Sequence, residues 1–189
     1  MDELDIEKIN SEIKICKLCR LSNSRTNAVP GEGKIPSDLM IIGEAPGRNE
    51  DLLGRPFVGE AGKLLDKCLK EVGIDRNNSY ITNIVKCRPP NNRKPSKEEI
   101  DICTKAFLFK QIEIVDPKVI LSLGVSASYG LGFKFSRIKD ILGVHQMFIA
   151  GKERKVYVAF HPSFPLRFNS LIPQFINQLK EVKLLLSQF

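Results

Sequence analysis

Leu39-Met40-Ile41-Ile42-Gly43-Glu44-Ala45-Pro46-Gly47 sets four consecutive apolar residues directly before a turn of glycine and proline. An unbroken apolar run of strand length, with no polar alternation, belongs to a strand covered on both faces, as in a parallel sheet. The run predicts a buried strand ending at Gly43 and a glycine- and proline-rich loop beyond it. That loop has too few glycines for a dinucleotide fingerprint and lacks the Gly-Lys-Ser/Thr ending of a phosphate-binding loop. What it offers is a carboxylate, Glu44, on a tight turn beside exposed backbone amides; an ordinary strand-to-helix turn is the plainer alternative.

Working outward, Tyr80–Val85 and Lys118–Leu123 predict two further strands, and Met147–Ala150 with Val156–Phe160 a hairpin or two short strands about Gly151-Lys152-Glu153-Arg154. Helical spacing of Ile6, Ile9 and Ile13 predicts a helix over Asp5–Lys14, and Leu64, Leu65, Cys68, Leu69 and Val72 predict one over Glu60–Gly73. Ser96 with Glu99 forms a capping box that starts a helix running to about Val115. Ser126–Gly130 reads as a short helix and Leu171–Leu186 as a closing amphipathic one, while Arg20–Ser37 and Arg88–Pro95 are too rich in punctuating residues for regular structure. Strands alternating with helices predict an α/β fold, a three-layer α/β/α sandwich on a central, mainly parallel sheet, with residues 1–189 as one domain. Ligands gather beyond the carboxyl ends of such strands, and Gly43-Glu44, Asn83 and His161 each stand at one.

A composition of 42% hydrophobic and 27% charged residues excludes a disordered or membrane-embedded chain. No apolar run approaches the roughly 20 residues of a bilayer span, and MDELDIEKIN lacks the basic head and apolar stretch of a leader. The expected location is cytoplasmic, with no membrane partner. Lys and Arg number 29 against 22 Asp and Glu, a net charge of +7 that favours a polyanionic partner without proving one.

Reducing compartments disfavour disulfides, so the five cysteines point to metal ligation or chemistry. Cys16 and Cys19 form a Cys-x-x-Cys pair; Cys87 and Cys103, sixteen residues apart, complete a set of four soft ligands suited to tetrahedral zinc or an iron–sulfur cluster. The wide second pair tilts the choice towards iron, and small buried residues are the alternative for all but the first pair. Cys68 lies on an apolar helical stripe and is assigned to the core.

Three side chains carry recognition chemistry. His161, stiffened by Pro162, can donate to a developing anion; Asn83 can read a donor and an acceptor on one edge; Phe57, in a Gly/Pro loop, can act as a stacking platform. A surface turn is the competing explanation for His161, and core packing the weaker one for Phe57.

Cys16 and Cys19, GEAPG at 43–47, GRPFVG at 54–59, NIVKCRPPNNRKP at 83–95, Cys103 and HPSFPLR at 161–167 together resemble the family 4 uracil-DNA glycosylases, typical of thermophilic bacteria and archaea. The resemblance covers nearly the whole chain, with the motifs in family order. It implies a monofunctional glycosylase that flips uracil from single- or double-stranded DNA and hydrolyses its glycosidic bond, leaving an abasic site for base excision repair. It also implies that Cys16, Cys19, Cys87 and Cys103 ligate a 4Fe–4S cluster.

In the implied site Phe57 stacks on the flipped base, Asn83 pairs with its edge, and His161 stabilises the departing anion. Glu50 packs near C5, with Ala45 and Pro46 completing the pocket. Family 1 enzymes carry a water-activating Asp where this chain has Ala45, so Glu44 becomes the candidate for positioning water, with Asn92 assisting it or a phosphate. Arg167 and the Phe164-Pro165-Leu166 tip would hold the backbone and fill the vacated stack; a solvated turn whose Phe and Leu return to the core is the alternative. No lysine sits in a Schiff-base motif, so no lyase activity is expected. A non-catalytic DNA-binding module and a family 5-like enzyme of broader base tolerance are the rival readings. A monomer is expected; a sliding clamp is a candidate partner, although Lys180–Phe189 carries no recruitment motif.

Overall fold

A computed structural model describes residues 2–189. In chain order the elements are α1 (Asp2–Ile15), β1 (Glu32–Gly33), β2 (Leu39–Gly43), α2 (Arg48–Leu53), α3 (Glu60–Glu71), β3 (Tyr80–Asn83) and α4 (Lys97–Cys103). A π-helical turn, Thr104–Leu108, joins α4 to α5 (Phe109–Val115). There follow β4 (Val119–Leu123), α6 (Gly124–Gly130), β5 (Gly143–Ile149), β6 (Lys152–Ala159), α7 (Ser163–Arg167) and α8 (Ile172–Leu186).

The strands form one sheet in the order β1-β3-β2-β4-β6-β5. Its four central strands are parallel and both edge strands antiparallel. Alternation along β2 divides the core: Met40 and Ile42 pack with Ile13, Ile112 and Val158 on one face, while Leu39 and Ile41 pack with Leu65, Leu69, Phe175 and Leu179 on the other. The three-layer sandwich is thus present. No helix among the described residues is long and apolar enough to cross a membrane.

Several expectations are corrected. Ile84 and Val85 lie outside β3; their N–H groups bond Gly43 O at 2.8 Å and Glu44 O at 3.2 Å as the chain bends away. They remain buried, and burial alone made them read as strand. The hairpin begins earlier on each arm, at Gly143 and Lys152, and β6 ends at Ala159, one residue short of Phe160. The stretch after GEAPG includes a helix, α2, whose buried residues are Glu50 and Asp51. The short β1 occupies part of the stretch assigned to irregular structure.

The capping box at Ser96 is present, with Glu99 N donating to Ser96 Oγ at 3.2 Å and Ser96 N to Glu99 Oε2 at 2.7 Å. Glu99 does more than cap. Arg93 grips its carboxylate through both terminal nitrogens, at 2.7 and 2.8 Å, and Arg20 Nε reaches it at 3.0 Å. One carboxylate, 2% exposed, therefore ties the loop after Cys19, the loop holding Asn92, and the helix ending at Cys103. Arg93, then burial working against it, then Ser96 and Arg20 set the balance that holds its acidity at about 2.

Because that folded value lies below the usual 4.5, the contribution to stability is complete above 4.5 and is lost as pH falls towards 2. Glu99→Gln should cost about 2 kcal/mol at neutral pH, the scale of charged hydrogen bonds, and should flatten the acid limb between those values. Denaturant melts from pH 7 down to pH 2 measure it; parallel acid limbs in the two proteins would remove Glu99 from this role.

Candidate functional site

Beyond the carboxyl ends of the central strands lies a cavity of ≈ 400 Å³, whose lining includes Glu44, Glu50, Phe57, Asn83, Asn92 and His161. Ala45 and Pro46 complete the wall beside them. The residues expected to converge from the separate loops do so. A ligand site of this size at strand ends is what an α/β sheet provides.

Phe57 forms one wall in an unusual conformation, φ +51°, which costs a non-glycine residue conformational energy. Its surroundings impose it. Arg76 donates to Phe57 O at 2.9 Å and Pro56 O at 2.7 Å, and a Cβ at Gly62 would lie 2.0 Å from Phe57 O. A Cβ at Gly43 would meet the Phe57 ring at 2.3 Å and Asn83 Oδ1 at 2.5 Å, so only glycine lets ring and amide approach there. The Phe57 and His161 ring centroids stand 6.0 Å apart at 32°.

Glu50 is the knot of the loops. Its carboxylate accepts from Gly47 N at 3.1 Å, Val58 N at 3.0 Å and Gly59 N at 2.7 Å. These bonds join the turn after β2 to the turn before α3, so the carboxylate fixes the shape of the wall it helps to line. Neighbouring Asp51 does the same for the N-terminal loop, with Oδ1 accepting from Thr26 N at 2.8 Å and Asn27 N at 3.2 Å.

Asn83 closes β3 opposite Gly43 and is 2% exposed. Its Oδ1 is buried without a partner. An unsatisfied buried carbonyl is costly and rare in folded proteins, and Asn83 lies at the cavity wall.

His161 is half-buried, with the Ser163 hydroxyl at 2.8 Å and the Ser163 N–H at 3.2 Å from Nδ1. A backbone N–H can only donate, so Nδ1 accepts and a neutral ring carries its proton on Nε2. Burial holds the imidazole down to about 4, so the neutral form prevails at neutral pH. Ser126 Oγ, 5% exposed, donates to Glu44 Oε2 at 2.6 Å and so orients that carboxylate.

A second hollow of ≈ 590 Å³ adjoins the first and shares Glu44, Asn92 and His161 with it. Phe164, Arg167 and Lys94 line this outer part. Asn92, with φ +54°, accepts from Arg88 Nε at 2.7 Å. The tip is the helical turn α7, in which Pro165 is buried while Phe164 and Leu166 do not return to the core, at 40% and 39% exposure, and Phe168 just beyond is 47% exposed. Leu166 lines neither hollow.

Cys16, Cys19, Cys87 and Cys103 line one small cavity with Ile13, Leu18 and Lys86 and form no disulfide. Among the described residues no group of three or more His, Cys, Asp or Glu side chains is gathered as a metal ion would need. Sulfur acceptors are nevertheless served: Arg25 Nη1 donates to Cys87 Sγ at 2.9 Å and Leu18 N to Cys16 Sγ at 3.5 Å. Burial raises the Cys19 and Cys87 thiols and pushes Cys103 up to about 12. Cys68 is a core residue 1% exposed, as expected.

Sequence reading missed Ser126, Arg76, Arg93 and Lys86, whose partners lie far along the chain or in bends without a local signal. Lys86 was overlooked because a lysine rarely lies 1% exposed.

The family model described as the uracil DNA glycosylase superfamily matches residues 30–183. A type-4 uracil-DNA glycosylase of Pyrobaculum aerophilum is 42% identical over 93% of this chain and 92% of its own. That of Sulfurisphaera tokodaii is 48% identical over 88% of this chain and 77% of its own, and that of Thermotoga maritima 44% identical over 95% and 89%. With similarity of this degree running along nearly the full length of both partners, the chain belongs to the uracil-DNA glycosylase superfamily and, within it, to the type-4 family.

Proposed function

We propose that this chain is a monofunctional uracil-DNA glycosylase that extrudes uracil from DNA, hydrolyses its glycosidic bond and leaves an abasic site, the first step of base excision repair. The observation that carries the reading is the buried, unpartnered Asn83 Oδ1 in a cavity that the Phe57 ring and the His161 imidazole also line. Uracil offers N3–H to that oxygen and a carbonyl to the amide nitrogen. Cytosine lacks the N3 proton and presents an amino group where the carbonyl should be, so a site built for the uracil edge rejects it.

Extrusion costs a few kcal/mol of lost stacking, which Phe57 and the edge hydrogen bonds offset. As the C1′–N1 bond breaks, its electron pair passes into the base, and the neutral His161 Nε2–H donates to O2 where charge gathers. The sugar becomes oxocarbenium-like. Water adds at C1′, and Glu44, steadied by Ser126, orients it and receives its proton. Ala45, Pro46 and Glu50 bound the space near C5, where a thymine methyl would clash. Asn92 and Arg167 would meet the phosphates, and Phe164 and Leu166 would fill the vacated stack.

Lys86, the buried lysine, lines the cysteine cavity and not the base cavity, which accords with hydrolysis without a Schiff base. Four thiols around one cavity, Cys87 and Cys103 buried and Cys16 and Cys19 half-buried, with N–H donors aimed at two of the sulfurs, fit a 4Fe–4S cluster held by these four residues. Such a cluster would pin the N-terminal segment to the loop after β3.

Incubation with a uracil-containing oligonucleotide, without added divalent metal, should give free uracil and alkali-labile strands; intact strands at every temperature below unfolding would end the reading. Asn83→Ala should lower kcat/KM at least about 100-fold, as loss of a preorganised transition-state contact does. The same change removes an unsatisfied buried acceptor, so the melting temperature should hold or rise. A variant that loses activity only in proportion to lost folding would contradict the assigned role.

NMR titration of the imidazole carbons should place His161 near 4, against 6.5 for an ordinary histidine. A midpoint near the ordinary value would mean a partly charged ring during turnover and would undo the neutral-donor step. Chemical analysis should find about four iron and four sulfide per chain if the cysteine set holds a cluster; iron-free active protein would remove it.

A further inference from the structure

We propose that Lys86 is a positioning residue for base recognition, clamping the end of β3 so that the Asn83 amide faces the cavity and joining that clamp to the cysteine loop. The inference rests on the reading of the cavity as the uracil site. Lys86 Nζ donates to Thr82 Oγ1 at 2.6 Å and to the backbone carbonyl of Asn83 at 2.8 Å. The Thr82 hydroxyl passes its own proton to Pro30 O at 2.7 Å, and Gln111 Nε2 reaches the same oxygen at 3.0 Å.

The backbone of Lys86 is held as well. Its carbonyl accepts from Val29 N at 2.7 Å, its side chain lines the cavity of the four cysteines, and Cys87 follows it in the chain.

Asn83 needs such a clamp because its side chain cannot be fixed by its own bonds. An acceptor kept free for a ligand has no partner to orient it, so the direction of the amide is inherited from the backbone and from the ring beside it. That backbone is also at its weakest point, since Asn83 is the last paired residue of β3 and the chain bends away from Ile84. The ammonium holds the carbonyl at that bend.

Methionine of similar length would be cheaper to bury and would fix none of these groups. A buried charge of this kind adds little net stability but can select one arrangement of its partners. Fixing the end of β3 from the residue next to Cys87 means that whatever holds Cys87 also steadies Asn83.

The test compares Lys86→Met and Thr82→Val with the unsubstituted protein. Each is read for competitive inhibition by free uracil, for binding to DNA that already holds an abasic site, and for iron content. Lys86→Met should weaken uracil inhibition about 10-fold to 100-fold, the usual effect of a supporting partner, while abasic-DNA binding and iron content stay as in the parent. In an Asn83→Ala background it should add no further loss, because the amide it positions is gone.

An unchanged uracil constant, an additive loss in that background, or equal weakening towards abasic DNA would overturn the proposal. Should Lys86→Met fail to fold, Thr82→Val decides alone, since it removes one acceptor of the ammonium and leaves the cysteine loop intact; unaltered uracil inhibition there overturns it. Failure of the parent protein to release uracil would count against the catalytic reading, and calorimetric binding of free uracil to parent and variant would then still test the clamp.

Discussion

At the end of β2 a methyl group on residue 43 would sit 2.3 Å from Phe57 Cζ and 2.5 Å from Asn83 Oδ1. The ring and the amide therefore share a space that opens only because position 43 is glycine. Everything on the base-facing side follows from that approach. Phe57 must turn to positive φ to bring its ring in, and the turn is sustained by Arg76 on its carbonyls and by the bare surface of Gly62 behind it. Glu50 then closes the two flanking loops on each other through three backbone N–H groups. The strained residue and the unsatisfied acceptor are neighbours, as expected where folding energy has been given up for a binding surface.

Legibility in the sequence followed hydrophobicity. β2 and β4 could be read because a run of three or four consecutive apolar residues between turn signals has few fates other than a strand buried on both faces, and α3 because its stripe recurs at helical spacing. The helix α2 was invisible for the same reason reversed: what it buries is two carboxylates, Glu50 and Asp51, whose partners are backbone amides. The first half of β5, residues 143–146, was missed because Val144 points to solvent at 54% exposure while the inward positions carry Gly143 and His145. No period-based reading assigns such a strand when its apolar positions face outward.

The site was legible as a set of residues but not as a set of bonds. Glu44, Phe57, Asn83 and His161 could be singled out by lying in loops beyond strands, and they do meet around one cavity. Their supports could not. Ser126 reaches Glu44 across 82 positions, and Arg76 reaches Phe57 across 19, with no repeated spacing to announce either. Recognition groups are chosen for the ligand and stand out chemically, whereas their supports answer only to geometry, which local sequence does not encode.

The cysteine cavity and the cavity at the strand ends lie at the two ends of the same short segment, residues 83–87. Asn83 lines one cavity, Cys87 lines the other, and Lys86 reaches from the second back towards the first. After leaving the sheet the segment is held by backbone bonds at Ile84, Val85 and Lys86, and side chains at its far end add to that hold. Glu99 contributes there through Arg20 and Arg93, which bind the loops on either side of it. Support for Asn83 thus comes from the side remote from the cavity, and its Oδ1 is left without a partner at the cavity wall.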